Sequence, residues 1–468
     1  MSTAIRSRIS RPSAAWVTGW GAGAAAAVVY VLFVVRRYQR LDTNGWDLGI
    51  FTQAVRAYSR FTAPLVPLEG DHVNLLGDHF QPWIALIAPI YRIFPTPVTL
   101  IVVQALLFAL AVIPVVRLST SRFGVVAGVA IGVGFAVSWG LVQALSFDFH
   151  EIALAVPLVA FSLVALCEER WRAALAYAAP LVFCKEDLGV TVAVIALLVA
   201  WRGGRVVWTA AAVTGVWGIA WTVVTMKVII PSLADSGYGY ESKFSGGATD
   251  SALRTLRGIA WGDPRSGTLF LLAVVVLVVG VLSPLMLVAV PTLAWRFLST
   301  NTLYWGTGFH YNAILMSVVF VALIDALSGW GATVFGRRRV TAIALGCAGV
   351  GLALCYGNAF ARLPQPSFYD NPPQFAAAKA LAQRIPDGAA VATTNNLAPL
   401  VVSRHEVSLF PKLPRTARLP NWLLIDTTTH GYYPTDNAGV NVALDAVQST
   451  GGYHRVAESA GVVLATRN

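Results

Sequence analysis

Charge is what this chain has least of. Only 12% of its 468 residues are Asp, Glu, Lys or Arg, against about 25% in soluble domains, while 56% are hydrophobic. The mean hydropathy of +0.64 points the same way. Such a composition excludes soluble enzymes and disordered chains. Cysteine is scarce too. Cys167, Cys184, Cys347 and Cys355 all lie in or beside apolar runs, so no disulfide framework and no Cys/His zinc spacing is expected. There is no internal repeat, no low-complexity segment and no Gly-rich phosphate loop after a candidate strand. A basic stripe interleaved with aromatics is also missing, which sets nucleic acid aside as a partner despite the net charge of +11. Surplus Lys and Arg on cytoplasmic loops accounts for that charge in a membrane protein.

What the chain has instead is long apolar runs. They cover 14–35, 98–116, 123–145, 152–166, 173–184, 188–201, 206–228, 268–282, 285–298, 312–328 and 340–357, which predicts a polytopic helical membrane protein with about eleven crossings. The first run is too long for a signal-peptide core and reads as an uncleaved helix with a cytoplasmic N-terminus. With that threading, the cytoplasmic segments hold Arg6, Arg8, Arg11, Arg117, Arg122, Arg170, Arg172, Arg202, Arg205, Arg337, Arg338 and Arg339 against only Glu168 and Glu169. All seven histidines fall on the opposite, outer side. Residues 173–201 and 268–298 read as hairpins turning at Lys185-Glu186-Asp187 and Ser283-Pro284, since one helix through 185–187 would bury three charges in mid-bilayer. Asp325 reads as an interfacial residue at the inner end of its crossing.

Residues 1–357 therefore form the membrane domain. The tail, 358–468, has an ordinary globular composition and predicts a small extracytoplasmic α/β domain. Its helices fall at 374–385, 396–402 and 438–449, with strands at 389–394 and 422–426 and a final strand pair near 453–466. His405, His430 and His454 read as surface residues of that tail.

The chemistry-bearing residues gather on the outer side. The first outer loop, 36–97, carries Asp42, Asp47, Asp71, His72, Asp78 and His79. Within it, Leu48, Phe51, Val55 and Tyr58 recur at helical spacing, describing a helix lying on the membrane surface; 82–94 is too short to span and predicts a second one. The runs 152–166 and 173–184 are also too short to span a core of ~30 Å. Their outer ends, Asp148-Phe149-His150-Glu151 and Lys185-Glu186-Asp187, must then lie below the membrane surface, where charges persist only around a wet cavity and in pairs. Three clusters (47/78/79, 148/150/151 and 185/186/187) are thus expected to converge, with His310-Tyr311 as a fourth.

The segments GWDLGIFTQAV, GDHFQPWIALIAPIYRIFP, SFDFHEIALAVPL and KEDLG resemble a bacterial multi-pass family of the DUF2079 type, which is related to the GT-C glycosyltransferases. The resemblance implies a GT-C-like core in the bacterial plasma membrane. It further implies a polyprenyl-phosphate-linked sugar as donor and an envelope glycan or glycolipid as acceptor, joined by inverting transfer on the outer face. It also implies that an acid in the first outer loop deprotonates the acceptor. Asp47 matches best, with Asp78 as substitute because Asp47 is followed by Leu48 and not by a second acid; His79 joins them as a catalytic candidate. The departing phosphate needs a cation. Lys185, Arg296, His310 and Gln53 are the binding candidates, and Asp148, His150 and Glu151 could hold a divalent metal (Mg, Mn or Ca). Two rivals carry no transfer: a lipid or glycolipid flippase, and an envelope scaffold.

Overall fold

The computed structural model describes residues 13–70, 72–234, 262–412, 419–428, 433–450 and 452–467. Arg6, Arg8, Arg11, Asp71 and His430 lie outside the described residues. The apolar runs are largely helical, with 268–282 interrupted by a turn at 275–278. Helices α1 (Ala14–Gln39), α2 (Ile50–Ser59), α3 (Pro97–Phe123), α4 (Val125–Ala136), α5 (Trp139–Ser146), α6 (Ile152–Cys167), α7 (Trp171–Ala178), α8 (Leu188–Gly203), α9 (Trp208–Val224), α10 (Pro264–Val274), α11 (Val290–Leu298), α12 (Ala313–Ser328) and α13 (Trp330–Tyr356) build the bundle. Among the described residues, six helical stretches are long and apolar enough to cross a membrane, and 152–167, 284–298 and 313–328 are shorter apolar ones.

Small residues set the closest crossings, as expected where lipid is as apolar as the side chains. Gly19 and Gly23, one turn apart on α1, face α3; a Cβ on Gly19 would stand 2.9 Å from the Ile113 carbonyl oxygen. Gly189 of α8 and Gly218 of α9 meet backbone to backbone in the same way. α12 is buried along almost its whole length, so it is the central staff of the bundle.

Both proposed hairpins are present. The chain breaks helix at Cys184–Asp187 between α7 and α8, and at Ser283 between α10 and α11. At the pole opposite 184–187, the far end of the first hairpin meets the turn of the second. Arg202 makes a bidentate pair with Asp325 (2.8 and 2.7 Å), and Ser283 Oγ donates to the same carboxylate at 2.6 Å. Asp325 is therefore not a lone interfacial acid: it knots three crossings.

The tail is α/β. Helices α14 (Pro373–Ala382) and α15 (Asn437–Ser449) flank a five-stranded sheet. Its strands are β1 (Ala390–Thr393), β2 (Glu406–Leu409), β3 (Trp422–Asp426), β4 (Tyr453–Ser459) and β5 (Val462–Arg467), in the order β2-β1-β3-β5-β4. β2 and β3 run parallel to β1, while β5 is antiparallel to β3 and β4. β2 was not expected from the sequence. Alternation divides the sheet: Ala392, Leu423, Ile425, Val463 and Ala465 face α15 in one small core, whereas Val391, Leu424, Val462 and Leu464 belong to the large core of the bundle. His405 is a correction. It is 1% exposed, because β2 places it at the seam between the two parts.

That seam is α2. Instead of lying on an open membrane surface, α2 is covered on its second side by the tail, and Ile50 through Val55 are all buried. Gln53 Nε2 donates to the Val407 carbonyl at 3.2 Å, and Arg56 donates to the carbonyls of Val402 and His405. Just before α2, the Gly45 amide donates to the Asn395 carbonyl at 2.7 Å, and Ala398 packs where a Gly45 side chain would be. The run 82–94 does stay at the edge, with Leu86, Ile90, Ile93 and Phe94 exposed.

Candidate active site

A cavity of about 1010 Å³ opens at the pole that carries the tail. It is walled by the turn before α2, the loop before α3, and the loops 147–151, 184–187 and 299–312, with Met226 and Lys227 from the end of α9. The short helices explain its depth: α6 and α7 end early, and their polar tips form its floor.

Asp47 sits in a single wide turn of π-helix, Gly45–Gly49, that leads into α2. Such a turn redirects side chains and recurs at functional sites. The carboxylate Oδ1 lies 3.3 Å from Nε2 of His150, and Asp47 is still 20% exposed toward the cavity. The His150 ring stacks on His310 with centroids 3.6 Å apart, and Phe147 covers its other neighbour position at 5.2 Å. Among the described residues, Nδ1 of His150 and both ring nitrogens of His310 have no hydrogen-bond partner, although both side chains are buried. Buried polar atoms without partners are costly, and at a cavity wall they are available to a ligand. Burial first, and then the neighbouring His150, push the His310 imidazole well below its usual range, so it is neutral.

Two ion pairs also line the wall. Lys185 Nζ reaches Glu151 Oε1 at 2.7 Å, with both side chains at most 10% exposed. Burial alone would raise the Glu151 carboxyl, but Lys185 holds it down at about 2. His79 Nδ1 lies 2.6 Å from Glu186 Oε1, and the Phe80 amide donates to the other oxygen. Burial lowers the His79 imidazole, but Glu186 outweighs it, and the net shift is upward. Asp78 stands 3.8 Å from the same ring. Burial pushes Asp187 up to about 6.

One cavity acid escaped sequence reasoning. Burial, followed by repulsion from Asp78, pushes Glu69 up to about 7. The available signal was its place beside Gly70 in an outer loop already rich in acids. Two wall residues, His72 (φ 65°) and Phe309 (φ 62°), take the left-handed backbone region that disfavours bulky side chains, as does Asp148 (φ 68°) behind the wall. Strain of this kind persists only where the surroundings enforce it.

Asp47, Asp78, His79, His150, Glu151, Lys185 and His310 thus come together in one cavity wall. Asp148, Gln53 and Arg296 do not. Asp148 turns away to Arg37 Nη1 (3.1 Å) and the Asn44 amide (2.7 Å), where it anchors the end of α1 to the start of the Asp47 turn. Gln53 clamps the tail and accepts the Leu68 amide. Arg296, fully buried, donates to the carbonyls of Tyr304 and Gly306 and to Asn312 Oδ1, all at 2.8 Å, so it shapes the loop that presents His310. The trio expected to hold a metal is not assembled as a donor set, because Asp148 is bound by Arg37 and Glu151 by Lys185. Among the described residues no group of three His, Cys, Asp or Glu side chains converges elsewhere.

The fold is that of a multi-pass helical membrane protein with an ArnT-like arrangement of helices. Two crystal structures of ArnT from Cupriavidus metallidurans superpose on it with a TM-score of 0.51. One is bound to undecaprenyl phosphate (13% identity) and one is in the apo state (12%); each comparison covers 96% of this chain and 98% of the other. No curated protein matches the chain in sequence. Residues 37–464 match the family described as predicted membrane protein (DUF2079), and the chain belongs to that family.

Proposed function

We propose that this protein is a polyprenyl-phosphate-sugar-dependent glycosyltransferase working on the outer face of the bacterial plasma membrane, in assembly of an envelope glycan or glycolipid. The observation that carries this reading is the Asp47 carboxylate, held by His150 at the wall of a large cavity in an ArnT-like fold. ArnT in that fold is seen with undecaprenyl phosphate.

The residues suit a single displacement. The acceptor hydroxyl attacks the anomeric carbon; its oxygen bonds to that carbon as the bond to the donor phosphate oxygen breaks. Asp47 takes the hydroxyl proton, and polyprenyl phosphate leaves with the electron pair. His150 orients Asp47 through its Nε2, and its stacked neighbour His310 offers neutral ring nitrogens to sugar hydroxyls. Lys185 lines the cavity, restrained by Glu151 and placed to offset phosphate charge. The displacement as written runs through no metal; of the expected metal ligands, Asp148 is engaged by Arg37 and Glu151 by Lys185. In this orientation the tail faces out and the pole carrying Arg117, Arg122, Arg170 and Arg202 faces the cytoplasm.

The test is sugar release from undecaprenyl- or decaprenyl-phosphate sugars by purified protein, with donor binding measured in parallel. Asp47→Asn should lower turnover by about 10²–10⁴-fold and leave binding near wild type. Undiminished turnover would remove Asp47 from this role. A wild type that binds the lipid and transfers nothing from any donor would favour the flippase or scaffold reading.

A further inference from the structure

A second cavity, of about 680 Å³, lies at the opposite pole, between the start of α1, the end of α3 and the turn joining α6 to α7. It is ~20 Å along α3 from Gln104, which bonds the backbone of His150, to Arg117, which lines this cavity. The transfer mechanism uses none of its residues.

Its charges do not balance. Arg117, Arg122 and Arg170 line it with one acid, Glu168. Both oxygens of Glu168 are already taken: Arg117 Nη2 reaches Oε1 at 2.6 Å and Arg170 Nη2 reaches Oε2 at 2.8 Å. Arg122, exposed, donates only to the Cys167 carbonyl at 3.0 Å. Three guanidinium groups around one carboxylate leave two positive charges facing the cavity. Positive-inside bias explains arginines on this side, but not their collection around a hollow or their sharing of one acid.

The frame is aromatic. Trp16 lies under the Arg117 guanidinium at 4.8 Å, is 42% exposed on the outer surface of α1, and is followed one turn on by exposed Trp20; Tyr177 closes the other side. Exposed tryptophans of this kind mark the headgroup level of a bilayer. A planar guanidinium fork matches a phosphate through paired hydrogen bonds, and basic pockets between crossings at this level suit anionic headgroups.

We infer that this pocket binds the phosphate headgroup of an anionic phospholipid, at a site separate from the transferase cavity. Arg122 and Arg170 grip the phosphate, Arg117 is held ready by Trp16 and Glu168, and Glu168 competes with the ligand for the arginines.

The test uses full-length protein, native mass spectrometry and lipid titration, with phosphatidylglycerol as probe, phosphatidylcholine as neutral control and inorganic phosphate as competitor. Wild type should retain phosphatidylglycerol over phosphatidylcholine. The Arg122→Gln/Arg170→Gln variant, which keeps the Arg117–Glu168 pair and so its fold, should lose roughly tenfold or more of that preference. Glu168→Gln should raise affinity severalfold, a gain that a merely structural role for the cluster would not produce. Asp47→Asn should change nothing here, which separates failure of this site from failure of the transferase reading. Equal retention of both lipids, an unchanged double variant, or displacement by inorganic phosphate as readily as by lipid would overturn the assignment.

Discussion

The two poles of the molecule are built from similar residues and arranged by opposite logic. At the cavity pole the deepest ions are held in pairs: Lys185 with Glu151, His79 with Glu186, Arg37 with Asp148. Nδ1 of His150 and both ring nitrogens of the stacked His310 have no hydrogen-bond partner there, nor does one oxygen of Asp187. At the far cavity the charges are shallower and unequal, three arginines to one glutamate, with Arg122 and Arg170 exposed and Arg117 and Glu168 half-buried. The difference follows from solvation. A desolvated charge without a partner costs several kcal/mol, so the deep cavity must neutralise its ions before it can offer anything to a ligand. A shallow interfacial pocket keeps water on its arginines and can carry surplus charge until an anion arrives.

Breaking a deep pair should have the largest effect. Lys185→Met leaves Glu151 charged and buried, and should destabilise the protein by about 3–5 kcal/mol. The double variant Lys185→Met/Glu151→Gln should recover most of that loss in thermal unfolding, because both charges leave together. Glu151 also gives this pair a pH signature. Its folded value, about 2, lies below the usual 4.5, so its contribution is complete above about pH 4.5 and is lost as pH falls toward 2. Lys185→Met should erase that acid limb. Equal slopes in both proteins would refute the pairing.

Next in size is the knot at the far pole. Asp325→Ala unpairs the half-buried Arg202 and the Ser283 hydroxyl, and should cost about 1–3 kcal/mol, with earlier proteolysis of the 264–298 hairpin as its local readout. Glu69 should have a smaller effect, on binding. Its carboxyl is raised to about 7, so the cavity gains a negative charge as pH rises through neutrality. Binding of a polyprenyl phosphate should weaken by about threefold between pH 6 and 8, and Glu69→Gln should flatten that dependence. The smallest change is expected from Arg170→Gln alone. Its side chain is 50% exposed, so stability should shift by less than about 0.5 kcal/mol, in contrast to Lys185.

Much of this was legible in the residues. Helices too short to span placed 148–151 and 185–187 at depth, and charge at depth implies a shared wet cavity; the structure has that cavity. The hairpin at 185–187 was legible for the same electrostatic reason. Gln53 was not, because its partner is the Val407 carbonyl, 354 positions away, and a backbone carbonyl leaves no mark in a sequence. Arg296 looked like a phosphate ligand because an arginine near an apolar run suggests function, yet its donors close on three oxygens of its own loop. β2 escaped notice because Glu406–Leu409 is four residues long and half exposed. His405, at its edge, escaped with it.

The sequence by itself determined the membrane class, the helical character of most of the apolar runs, the hairpin at 185–187 and the α/β character of the tail. Each of these follows from local hydropathy, segment length and periodicity, which act residue by residue along the chain. Only the tertiary structure decided which acid meets which base, that the tail seals the back of α2, and that His150 supports Asp47 while Asp148, two positions earlier, turns away to Arg37. Those choices depend on contacts across a hundred or more residues, where ångström-scale packing, and not composition, selects the partner.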